Sequence, residues 1–235
     1  MRNIIYPAAA IAAVMGLVTP AWAARPMITD DARIVDAKSC QLESWVKNNR
    51  QGGTEYWALP ACNFTGNLEF TVGGALTDDA ASHQISDQVV QIKTLFRTLQ
   101  PGGWGAGLAS GINRHPELPG GNDWYAYVPI SFSFGNDALV LHTNTGWKKD
   151  QISRRAAFTW GLGSELAINK RNWLIAETFG NSESRPYYQL GIRHWIVPNR
   201  VQIDATLGNR LGTGAGDAEQ WLSIGLRLLS LPFLP

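Results

Sequence analysis

His142 and Asn144 are the side chains whose types best suit hydrolytic chemistry, because an imidazole oriented by a polar neighbour is what a hydroxyl nucleophile needs for activation. In an extended segment the two share one face, with Thr143 on the other, and no serine lies two positions from His142 on that face. The nucleophile is therefore missing locally, and His142 reads as an interior residue. His83, His115 and His194 are scattered without metal-ligand spacing, and the acidic pair Asp30-Asp31 has no ligand partner at such spacing. No metal and no cofactor is expected. The run Gly212 to Gly216, Gly-Thr-Gly-Ala-Gly, falls in a long connection instead of opening a helix, so it lacks the context of a dinucleotide-binding turn.

Cys40 and Cys62 form an even pair 22 positions apart, with the turn Asn49-Arg50-Gln51-Gly52-Gly53 midway between them. If that turn closes a hairpin, both sulfurs lie near its open end, and a structural disulfide is expected in an oxidising compartment. The N-terminus points to such a compartment. Arg2 supplies a positive start, Ile4 to Val18 an apolar stretch of secretory length, and Thr19-Pro20-Ala21-Trp22-Ala23 a small-residue cleavage site. Residues 1–23 are read as a signal peptide. Without Arg2, the 20 basic and 19 acidic side chains come into balance. A balanced chain offers no long-range attraction for nucleic acid, which is not expected as a partner.

The elements that must position these residues alternate. From Lys38 onward no stretch of helical period appears, and segments of roughly 10 to 14 residues switch between apolar and polar or small side chains before ending in turn residues. They run over 38–48, 54–62, 67–77, 84–97, 103–113, 123–134, 137–147, 154–168, 171–180, 185–196, 200–209 and 219–230. In the third, Leu68, Phe70, Val72 and Leu76 oppose Glu69, Thr71, Gly73 and Thr77. A strand crossing a bilayer at a tilt needs about 9 to 11 residues, whereas a globular strand averages about 5 or 6. Connections after even-numbered segments are tight, and those over Asp78 to His83, Arg114 to Asn122 and Leu211 to Glu219 are longer. A short-turn face opposite a long-loop face is the pattern of an outer-membrane barrel.

The expected fold is thus all-β, a transmembrane antiparallel up-and-down β-barrel of about twelve strands over 38–235, with both termini in the periplasm. Outer-membrane lipid would meet the apolar face, and the opposite face would line the lumen. The expected lumen set comprises Glu43, Glu69, Asp87, Gln91, Lys93, Arg97, His142, Asn144, Thr159, Glu165, Glu177, Tyr187, Gln189, Arg193, Asp204, Thr206 and Arg227. Carboxylates and guanidinium groups facing one another at close range pair, so part of this set fills the lumen and part sets selectivity for what passes. Trp45, Trp57, Trp104, Trp124, Trp147, Trp173, Trp195 and Trp221 lie mostly toward segment ends and are expected in interface girdles. Residues 24–37 form a periplasmic segment or fold into the lumen as a plug, with Asp30 and Asp31 meeting Lys93, Arg97, Arg193 or Arg227.

Three short regions resemble a known family: Arg25-Pro26-Met27-Ile28-Thr29-Asp30-Asp31-Ala32 followed by Gln41-Leu42-Glu43, the mid-chain Leu141-His142-Thr143-Asn144-Thr145-Gly146, and Ile224-Gly225-Leu226-Arg227. They are similar to the outer-membrane proteins grouped as MetA-pathway phenol-degradation, or transporter-like, barrels. The resemblance implies a Gram-negative outer-membrane barrel that admits small, often aromatic or otherwise hydrophobic compounds. The chain departs from that pattern in its cysteine pair and in its ending, Leu231-Pro232-Phe233-Leu234-Pro235, which lacks a terminal aromatic residue. The expected function is a non-enzymatic channel for passive uptake of small solutes. The alternatives are a closed structural or adhesion barrel, a soluble periplasmic β-protein that binds an apolar ligand, and a lipid-modifying barrel enzyme using His142 and Asn144. Oligomeric state is not legible.

Overall fold

The structure, a computed structural model, describes residues 27–80, 82–212 and 219–234. The expected signal peptide lies outside them. Every alternating segment forms a strand: β1 (Ser39–Asn49), β2 (Gly53–Asn63), β3 (Leu68–Asp78), β4 (His83–Arg97), β5 (Trp104–Arg114), β6 (Asn122–Phe134), β7 (Leu139–Lys149), β8 (Ala156–Ala167), β9 (Asn172–Asn181), β10 (Tyr187–Val197), β11 (Val201–Arg210) and β12 (Trp221–Leu229). Each pairs antiparallel with the next, and β12 returns to β1 with Glu43 opposite Arg227 and Val46 opposite Ile224. Closure leaves no unpaired sheet edge, which is the condition for crossing hydrocarbon with strands.

The period-two pattern becomes two faces. On β3, Leu68 is 40% exposed and Glu69 1%. Turn residues sit where the backbone needs them: Gly135, Asn136 and Asp137 take positive φ in the connection from β6 to β7, and Asn199 does so between β10 and β11. The connections 115–121, 150–155 and 211–220 lie at one end of the barrel; at the other, where tight turns are expected, 98–103 between β4 and β5 is as long as 150–155. The expected long loop over Asp78 to His83 is only 79–82, because β3 and β4 both run further than their alternation alone indicates. Cys40 and Cys62 face each other across β1 and β2 and form a disulfide, with Cα atoms 4.0 Å apart.

Two expectations about orientation are corrected. Arg97 is exposed on the outside, where its guanidinium lies 4.4 Å from the Trp104 ring centroid. A register shift between Leu95 and Arg97 inserts one residue, and one extra residue turns the following side chain to the other face. Several tryptophans leave the girdle as well. Trp104, Trp124 and Trp147 are exposed outside, whereas Trp45, Trp57 and Trp221 are buried within the barrel. Trp173 and Trp195 also stand on inward rows, opposite Arg193 and Gln202. Trp45 lies two residues from Glu43, so the period that turns Glu43 inward turns the indole inward too. It stacks on Trp57 with ring centroids 5.3 Å apart, and Leu59, Ala75 and Val89 join them in an apolar cluster inside β1 to β4.

Candidate functional site

The centre of the barrel holds the chain's own N-terminal segment. Residues 27–36 precede β1, and Met27, Thr29, Asp30, Asp31, Ala32 and Val35 are all buried. This strap crosses the lumen from the β2–β3 wall to the β9 wall, held chiefly through its backbone. Glu177 accepts the amides of Ile28 and Thr29, one on each carboxylate oxygen, both at 2.7 Å. Asn144 reads both sides of the next peptide position, accepting from the Asp30 amide at 2.7 Å and donating to the Asp30 carbonyl at 2.8 Å. The Ser131 hydroxyl accepts the Ala32 amide and Glu69 the Val35 amide, each at 2.8 Å, while Asn63 donates to the Val35 carbonyl. An extended peptide inside a barrel has no neighbouring strand, so wall side chains supply the partners that a ladder would give.

Charge completes the attachment. The Lys93 ammonium, fully buried, lies 2.8 Å from Asp30 Oδ2 and 3.5 Å from Asp31 Oδ1. Tyr127 donates to the same Asp30 oxygen at 2.8 Å. Of the four cations expected to meet the acidic pair, Lys93 is the one brought to it. Arg193 instead bridges Glu165 at 2.5 Å and Asp204 at 2.7 Å, Arg227 pairs with Glu43 at 3.3 Å, and Arg97 is outside the barrel. Glu165, Asp204, Glu43 and Gln202 thus form a wall network beside the strap, with Gln202 donating to Asp204. Beside the strap, two cavities of about 20 and 60 Å3 flank Met27, each large enough for only a few water molecules.

His142 acquires a serine after all. No serine shares its face on β7, but Ser131 stands directly opposite on β6, with Oγ 2.8 Å from His142 Nδ1. Glu165 Oε1 is 3.4 Å from the other ring nitrogen, which has no hydrogen-bond partner. A triad needs a hydroxyl open to substrate. Here Ser131 is 0% exposed, already accepts the Ala32 amide, and lines neither cavity. As built, the pair holds the strap.

Asp87, also in the expected set, lies toward the long-loop end. There His115 of the 115–121 connection turns inward, its Nδ1 3.2 Å from Asp87 and its Nε2 3.3 Å from Asp123. Those two carboxylates, Asp123 foremost, push the imidazole up to about 9 against the effect of its burial. Lys148 also pairs with Asp123, at 2.5 Å, and Asn113 donates to Asp87. Near this end the inner wall is aromatic. Tyr125 and Tyr127 stack at 6.2 Å, and Phe179, Tyr187 and Trp221 form a second group with Lys47 5.2 Å above Trp221.

Ser131 and Tyr127 were legible as inward residues of an alternating segment but carried no signal of what they touch. Asn63, at a strand end, and His115, in a loop, carried none at all.

Among solved structures, a KdgM porin in complex with disordered oligogalacturonate is similar, with a TM-score of 0.63 at 9% identity, over 81% of this chain and 99% of that one. KdgM porin alone gives 0.57 at 10% identity, over the same shares. The COG4313 outer-membrane channel from Pseudomonas putida F1 gives 0.54 at 8% identity, over 82% and 94%. At such identities the likeness establishes the fold, that of outer-membrane barrels. No curated protein matches the chain in sequence. A family model does, and with residues 11–229 matched the chain belongs to the family described as Uncharacterised conserved protein UCP029691.

Proposed function

We propose that this barrel is an outer-membrane channel for passive uptake of small aromatic or hydrophobic solutes, closed at rest by its N-terminal segment. Residues 1–23 direct export and are removed, 24–37 act as the plug, and 38–235 form the conduit, surrounded by outer-membrane lipid. The observation that carries the reading is the strap itself. A segment bound across the lumen by reversible hydrogen bonds and one buried charge cluster, tied covalently to the wall only where it runs into β1, is built to leave. A barrel that only needed filling would be served by apolar side chains, which cost less to bury than carboxylates.

The solute class draws support from two sides. The aromatic inner wall offers ring faces to an aromatic guest. The motif resemblance to MetA-pathway phenol-degradation barrels points to the same class. Glu43, Glu69, Glu165, Glu177, Asp204, Lys93, Arg193 and Arg227 would set ionic selectivity once the plug moves.

The smallness of the cavities favours a second reading, a permanently closed structural barrel. Planar-bilayer conductance separates the two. The channel reading expects rare openings of the mature protein, sustained conductance after deletion of 24–37, and phenol or benzoate uptake into liposomes. A deletion variant that inserts, shows heat-dependent gel mobility and never conducts would leave the structural reading standing.

A further inference from the structure

The outer surface at the long-loop rim carries a cluster of cations on one side. β5 ends in exposed Arg114, and Lys149 ends the outward row of β7, directly opposite Trp124 of β6. Trp147 precedes Lys149 by two residues on that row, and the 150–155 connection adds exposed Arg154 and Arg155. Elsewhere on this rim Lys47 pairs with Glu55, Lys148 with Asp123 and Arg210 with Glu219, while Arg50 donates to the Gln220 amide oxygen and Arg185 to the Gly212 carbonyl. Among the described residues, Arg114, Lys149, Arg154 and Arg155 have no carboxylate partner. The one acidic side chain of the 150–155 connection, Asp150, is taken up by the amides of Ile152 and Ser153, and the 115–121 connection after Arg114 carries one exposed carboxylate, Glu117.

Strands lie about 4.8 Å apart and Arg114, opposite Asn122, stands two residues nearer the rim than Lys149, opposite Trp124, so the two backbones are roughly 12 Å apart, a gap their long side chains can shorten toward the screening length of about 8 Å at physiological salt. The cluster repels itself and calls for an anion of matching spread. Its height on the barrel identifies the anion. Trp124 and Trp147, 48% and 43% exposed, mark the level where an amphipathic ring meets headgroups; Lys149 stands level with Trp124 and two residues above Trp147, and Arg114 two residues above Trp124. Acyl chains beside the indoles would bring a headgroup phosphate to the guanidinium and ammonium groups, and Arg is the side chain best matched to phosphate geometry.

We propose that Arg114, Lys149, Arg154 and Arg155 form a binding site for a lipid whose headgroup carries more than one phosphate, the chemistry of a diphosphorylated glycolipid in the outer leaflet. The inference rests on the proposed outer-membrane placement, with the long loops outward. Its test uses the mature protein in detergent micelles, with native mass spectrometry or lipid-competition binding against diphosphoryl lipid A, its dephosphorylated form and phosphatidylglycerol. The expected order is diphosphoryl lipid A first, phosphatidylglycerol weaker and the dephosphorylated lipid weakest. The R114Q/K149Q/R154Q/R155Q variant should lose at least tenfold in affinity for diphosphoryl lipid A, while K170Q/R171Q at the opposite rim should not. Equal binding of the dephosphorylated lipid, or a quadruple variant within twofold of wild type, overturns the site. Placement is read separately, by labelling K149C in intact cells with a membrane-impermeant maleimide. Absence of label with the micelle result intact overturns the outward placement, and the assignment to the outer leaflet with it.

Discussion

Replacing Lys93 by Met should release the strap while leaving the barrel standing. In the seated state the Lys93 ammonium is 0% exposed and lies 2.8 Å from Asp30 and 3.5 Å from Asp31, both themselves buried. Removing one partner of a buried ion pair costs about 3–5 kcal/mol at most here, because Asp31 keeps Arg33 at 3.6 Å and Asp30 keeps the Tyr127 hydroxyl. That cost falls on the seated strap alone, because a released strap returns both aspartates to water. At about 1.4 kcal/mol per factor of ten, the seated-to-released ratio should fall by up to roughly 100- to 4,000-fold. Open probability of Lys93→Met in planar bilayers reads that ratio. Heat-dependent gel mobility, which reports on the barrel, should not change. Adding Asp30→Asn and Asp31→Asn to Lys93→Met should recover much of the closure, since neutral amides need no counter-charge. The reasoning fails if Lys93→Met stays as closed as wild type under conditions in which the 24–37 deletion conducts.

Three further outcomes follow from the same geometry. Deleting 24–37 removes Asp30 and Asp31 and leaves Glu43, Glu69, Glu165, Glu177 and Asp204 against Lys93, Arg193 and Arg227; reversal potentials in a KCl gradient should show preference for potassium, and a chloride preference would contradict that wall. His115 has its folded value raised from 6.5 to about 9, so its contribution, on the order of 3 kcal/mol, is complete below about pH 6.5 and is lost as pH rises through 9. Proteolysis of the 115–121 loop should therefore accelerate between pH 7 and 10 in wild type, while His115→Gln should be cut rapidly at every pH. Finally, a side chain added at Gly208 would place its Cβ 2.1 Å from the Trp221 ring, so Gly208→Val should cost about 1–3 kcal/mol, lowering the temperature at which the folded gel band disappears.

The wall hydrogen bonds are where sequence reading and structure part company. Glu69, Lys93, Asn144 and Glu177 were legible as inward side chains because each occupies an alternate position in a segment of unmistakable period. That Glu177 binds two amides of the strap was not legible, since Thr29 and Glu177 are 148 positions apart. The same holds for Ser131 and His142. A search along one strand finds no nucleophile, and only the β6–β7 register sets the two opposite each other. Arg97 shows the reverse: alternation alone turns it inward, but the pairing with β5 slips between Leu95 and Arg97 and sets it on the outer face.

What this sequence determines by itself is therefore local: the strands, their approximate ends, which face of each is apolar, and hence a closed barrel. Period two and turn chemistry act over a few residues, and any chain with this pattern has few other ways to bury it. Tertiary structure alone decided the rest. Register, the bulge before Arg97, the inward Trp45–Trp57 stack and the course of residues 27–36 depend on which distant strands become neighbours and on how much room is left between them. A lumen is a property of the closed wall, so what occupies it is settled only when the wall has closed.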